Sequence, residues 1–128
     1  MSTEAWITIC VTPPDDPRAA ALPTLACFTG YDWTRAPGDD LVFDGTTLSC
    51  GWASTVQLVD ISHEVNRFLR DNELAARVEL EYRSIEGDGV EVEYWGFNAH
   101  LLEIPDQERA VALAQARLAA LRALPVQE

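Results

Sequence analysis

The chain has 128 residues, long enough for one compact domain that buries roughly two thirds of the surface its unfolded form exposes, without help from a metal or a disulfide. Apolar residues make up 48% of it, which argues against disorder, while 21 acidic residues oppose nine basic ones for a formal net charge of -12. That balance disfavours direct contact with nucleic acid or an anionic membrane, since both need a basic surface.

All nine basic residues are arginine, the mark of a GC-rich coding sequence and of a bacterial, phage or haloarchaeal source; a salt-adapted proteome would share the acidity. The three cysteines, Cys10, Cys27 and Cys50, are odd in number and far apart, and Met1-Ser2-Thr3-Glu4 has no leader character. They read as reduced thiols of a cytoplasmic protein. No apolar run has the length of a membrane span.

The first element is a strand, Trp6 to Val11, with Ile7, Ile9 and Val11 on one face and Trp6, Thr8 and Cys10 on the other, ended by Pro13-Pro14. Residues 13–40 hold five of the seven prolines and read as one long connection with a short helix near Arg18 to Leu22; its tail exposes Tyr31 and Trp33 among turn residues. Leu41 to Phe43 and Leu48 to Trp52 flank Asp44-Gly45 as a hairpin. Ser54 and Gln57 have capping-box spacing before a helix whose Leu58, Ile61, Val65, Phe68 and Leu69 form one stripe, stopping near Asn72.

Residues 77–98, RVELEYRSIEGDGVEVEYWGFN, form a second hairpin with glutamate at alternate positions. A three-residue turn at Gly87-Asp88-Gly89 would pair Tyr82 with Tyr94, Ser84 with Val92 and Arg83 with Glu93. That register separates an apolar face (Val78, Leu80, Tyr82, Val90, Val92, Tyr94) from an acidic one (Glu79, Glu81, Arg83, Glu91, Glu93) that also holds Ile85, Trp95 and Phe97. The last helix opens at Pro105-Asp106, with Asp106 as cap. Its Val111, Leu113, Leu118, Leu121 and Leu124 should pack on the sheet, leaving Ala112, Ala116, Ala119, Ala120 and Ala123 to solvent, another helix or a second copy. The fold expected is α+β: a mostly antiparallel sheet of about five strands, two main helices packed on one face, and the acidic hairpin exposed on part of the other.

No motif fixes a chemistry. Cys10, Cys27, Cys50, His63 and His100 show no metal-ligand spacing, and no phosphate loop, dinucleotide fingerprint or nucleophile elbow occurs, so no metal and no cofactor is expected. A thiol-dependent hydrolase or transferase would need Cys50 as nucleophile, His63 as base and Asp60 or Glu64 to orient it. A cysteine inside a strand is more often a small apolar residue. The acidic hairpin carries the favoured expectation. Between Glu73 and Glu93 seven acids face Arg77 and Arg83, and aromatics amid charge are enriched at binding hot spots.

Glu79, Glu81, Glu91, Glu93, Trp95 and Phe97, with Tyr31 and Trp33, are therefore the candidate partner-binding residues. The partner expected is a protein with a basic surface, which places an inhibitor, an immunity protein or a phage anti-defence protein of the anti-CRISPR type first among the readings. A structural or assembly protein that dimerises through the C-terminal helix is the alternative that needs no such partner.

Overall fold

The computed structural model describes residues 4–29, 41–51, 55–84 and 87–127. They form a five-stranded antiparallel sheet of β1 (Glu4–Thr12), β2 (Val42–Phe43), β3 (Thr47–Gly51), β4 (Ala75–Ser84) and β5 (Gly87–Gly96), in the order β2-β3-β1-β4-β5. A 3₁₀ helix over Pro17–Thr24 and three α-helices, α1 (Ala26–Thr29), α2 (Thr55–Asp71) and α3 (His100–Ala123), complete the α+β fold that the sequence implies.

The alternation read in β1 sets the layers. Ile7 and Ile9 are fully buried, and their cross-strand partners Leu80 and Val78 on β4 and Cys50 and Leu48 on β3 share their face. Ile61, Val65 and Leu69 of α2 cover this inner face. Asp44 shapes the β2–β3 hairpin: its Oδ1 accepts from the amides of Thr46 (2.9 Å) and Thr47 (2.8 Å), with Gly45 at φ +102°.

In the described part of the connection after β1, residues 13–29, the short helix expected near Arg18 to Leu22 is the 3₁₀ helix. Pro17 opens the 3₁₀ helix, where a missing amide hydrogen costs nothing, and Asp16 caps it by accepting from the Arg18 amide (2.9 Å). Ala19, Leu22, Cys27 and Phe28 enter the core beside α2. On α2, Glu64 accepts from the amides of Ala26 (2.8 Å) and Cys27 (3.0 Å), which holds α1 in place. Tyr31, Trp33 and the expected cap at Ser54 lie outside the described residues.

The β4–β5 register differs from the one expected. Arg77 pairs with Tyr94, Val78 with Glu93, Glu79 with Val92 and Leu80 with Glu91, and β5 begins at Gly87, so Gly87-Asp88-Gly89 is strand and not turn. The pairing is set at the opposite end of the hairpin. The Phe97 amide donates to the Leu74 carbonyl (2.8 Å), the Gly96 amide donates to Asn66 Oδ1 on α2 (2.8 Å), and Trp95 is buried opposite Ala76 on the inner face. Burying a large aromatic contributes about 1.5–3 kcal/mol or more. Face separation counts for little here, because β5 lies at the edge of the sheet, where Glu91 and Glu93 are exposed to water although they share the inner side with Leu80 and Val78.

The last helix also departs from expectation. It begins at His100, five residues before Pro105, and Asp106 is not its cap. Gly96 at φ +104° and Asn98 at φ +55° turn the chain from β5 straight into the helix. The leucine side does not pack on the sheet: none of the 24 residues of α3 is buried, and of the two long helices only α2 covers the core.

Candidate interaction surface

The proposed acidic surface does not come together as one face. Glu79 and Glu81 project from the outer side of β4, beside Val92 and Val90, whereas Glu91 and Glu93 lie opposite Leu80 and Val78 and belong to the inner side. Period-two alternation makes this unavoidable once the register has shifted by an odd number of residues. Glu79 is also partly neutralised, since Arg77 Nη1 donates to its Oε1 at 2.6 Å. Glu81, Glu91 and Glu93 are exposed.

The two aromatics of that surface part company as well. Trp95 is 5% exposed and joins the core, its indole nitrogen 3.5 Å from Glu93 Oε1, while Phe97 is 45% exposed past the end of β5. The residues of the thiol reading lie in different surroundings. Cys50 is completely buried between sheet and helices, His63 is exposed on α2, and Glu64 is committed to the α1 amides. A nucleophile has to meet its substrate, and burial works against the thiolate. The same cause is felt at Cys27, whose thiol is pushed far above its ordinary range by burial and then by the Glu64 carboxylate beside it. None of the three cysteines forms a disulfide, and only Cys10 is exposed. Among the described residues no three of His, Cys, Asp and Glu form a group that could hold a metal ion, and no helix is long and apolar enough to cross a membrane.

What sequence reasoning missed is how α3 is held. Its first turns are pinned to the outer face of the sheet by one carboxylate. Asp106 Oδ2 accepts from the Tyr94 hydroxyl (2.6 Å) and from Arg77 Nε (3.0 Å), and its Oδ1 accepts from Arg109 Nη2. The phenol hydrogen bond, the Arg77 hydrogen bond and the Arg77 charge together hold the Asp106 carboxyl below its ordinary range, while the bond to Asp106 raises the Tyr94 phenol. The signal was in the sequence as Arg77, Tyr94 and Asp106, but only the observed register sets the first two side by side.

Beyond the pin, α3 carries Ile104, Val111 and Leu118 at intervals of seven, 47%, 55% and 46% exposed, with Leu101 and Leu121 close to the same stripe. His100, Glu103, Ile104, Gln107, Glu108 and Val111 line an open hollow along its first half. A seven-residue repeat keeps one seam facing a partner helix. Comparison of the chain with models of known families, with curated proteins and with solved structures finds no match in any of the three.

Proposed function

We propose that this chain is a non-catalytic protein-binding module whose working surface is α3. One observation carries the reading: a helix of 24 residues in which nothing is buried and which presents Ile104, Val111 and Leu118 in a heptad row. Helices in proteins draw most of their stability from packing an apolar stripe, and an exposed apolar strip of this length marks an interaction site. The core location of Cys50 supports a binding role over thiol chemistry. The test is affinity capture from the native cell extract with the full chain and with a Val111→Glu, Leu118→Glu variant. Both positions are exposed, so the variant should keep its circular dichroism spectrum and lose its bound protein; equal capture by both would refute the reading.

The basic-partner reading, in the manner of an inhibitor, immunity or anti-defence protein, is favoured by a different observation. Glu91 and Glu93 stand exposed on the edge strand of a protein with net charge -12, which would speed approach to a basic surface. Changing Glu79, Glu81, Glu91 and Glu93 together to glutamine should then weaken capture at low salt and remove its salt dependence. Capture that is unaltered at both low and high salt would dismiss it.

A further inference from the structure

We infer that the partner of α3 is a second copy of this chain, packed antiparallel along the Ile104–Val111–Leu118 seam; this rests on the reading of α3 as the working surface. Charge complementarity argues for it. With Asp106 and Arg109 paired to each other at the pin, the first half of the helix offers Glu103 and Glu108, whereas the second half carries Arg117 and Arg122 with no acid. A parallel pair would set acidic half against acidic half and basic against basic. An antiparallel pair sets each acidic half against a basic one, the arrangement that flanking charges select in helix pairs.

The spacing is self-complementary in the same sense. With a two-fold axis at Val111, Ile104 of one copy faces Leu118 of the other at both ends, and Val111 meets its own equivalent, as an isologous contact requires. The hollow bordered by Glu103, Gln107 and Glu108 then receives Leu118 and Leu121 of the second copy, with Arg117 and Arg122 alongside its glutamates. The helix is about 36 Å long, so the basic half extends well past the Asp106 pin and is open to a second molecule. The seam carries a valine and not a polar residue at its centre, so the pair needs no buried hydrogen bond.

The experiment is sedimentation equilibrium of the full chain from about 1 to 100 µM, the range in which modest interfaces dissociate. The expected species is a dimer of twice 14.2 kDa. Val111→Glu should raise its dissociation constant at least about 100-fold, as removal of a central interface residue does. Arg117→Glu with Arg122→Glu should weaken it about 10-fold, and adding Glu103→Arg with Glu108→Arg should restore it. Retained circular dichroism confirms that each variant is folded. A dimer indifferent to Val111→Glu, or charge swaps that fail to restore one another, would overturn the antiparallel seam. A monomer throughout would overturn self-pairing; if capture from extract still depends on Val111 and Leu118, α3 binds a different protein, and if it does not, the reading of α3 as the working surface fails too.

Discussion

Gly96 is where β5 hands the chain to α3, and Gly96→Ala should be among the most damaging single changes in the molecule. The residue sits at φ +104°, and a Cβ built on it would run into the Leu74 carbonyl oxygen, lie 2.8 Å from Leu69 Cβ and 3.1 Å from Ala75 Cα. Two costs add. A side chain at positive φ costs about 1–3 kcal/mol, and forcing an extra methyl against backbone and a buried leucine costs about 1–3 kcal/mol more. The expected loss is about 2–6 kcal/mol, a large part of the stability of a domain of this size.

Gly45→Ala separates the two terms. Gly45 has nearly the same φ, +102°, but the nearest atom to its Cβ is Asp15 Oδ1 at 3.5 Å, ordinary contact, so only the conformational cost of about 1–3 kcal/mol applies. Urea denaturation with a slope of about 2 kcal/mol/M should place the Gly96→Ala midpoint about 1–3 M below wild type, and the Gly45→Ala midpoint between them. A Gly96→Ala midpoint within about 0.3 M of wild type, or equal to that of Gly45→Ala, would refute the close approach of β5 to α2 and β4.

Trp95→Ala should cost about 3–5 kcal/mol in the same assay and Phe97→Ala under about 1 kcal/mol, whereas the register expected from face separation would have put both on one solvent-facing side. Asp16 has its pKa lowered from 3.8 to about 2, first by the Arg18 side chain and then by its amide. The folded value lies below the unfolded one, so this contribution is present above about pH 4 and fades as pH falls towards 2; Asp16→Asn should therefore be destabilising at pH 6 and match wild type near pH 2 in paired denaturation curves. A thiol reagent should modify Cys10 in the native protein, with Cys27 and Cys50 reacting only on unfolding, read as one thiol against three by absorbance. Loss of the Asp106 pin in Asp106→Ala should speed amide exchange in the first turns of α3 and leave β1 and β4 protected, as mapped by mass spectrometry.

Elements with a strong period and a covered face were legible in the sequence. Ile7, Ile9 and Val11 on β1 and the Ile61, Val65, Leu69 stripe of α2 read correctly because each face meets one uniform environment. The β4–β5 pairing was not legible, because an edge strand exposes both faces, which leaves register to Trp95 burial and to backbone bonds at Leu74 and Asn66 that local pattern does not reveal. The short helix near Arg18 to Leu22 was legible and is the 3₁₀ helix over Pro17–Thr24, but α1 and the packing of both were hidden for another reason: their core residues Ala19, Leu22, Cys27 and Phe28 follow no single period, and prolines interrupt the segment. On α3 the helix itself was plain, but leucine on one side suggested a sheet contact, and sequence pattern cannot tell a stripe buried within its own chain from one left for another molecule.

The orientation of two α3 helices tests the central claim most directly. A spin label at Ala123→Cys in a Cys10→Ser background reports it through one intermolecular distance by pulsed electron resonance. Antiparallel pairing about Val111 predicts labels separated by about 35 Å along the helix axis, from roughly 24 residues at 1.5 Å each. A separation near the interhelical spacing of about 10 Å would mean a parallel pair, and no intermolecular distance at all at concentrations of about 100 µM would mean no pair; either result contradicts the account.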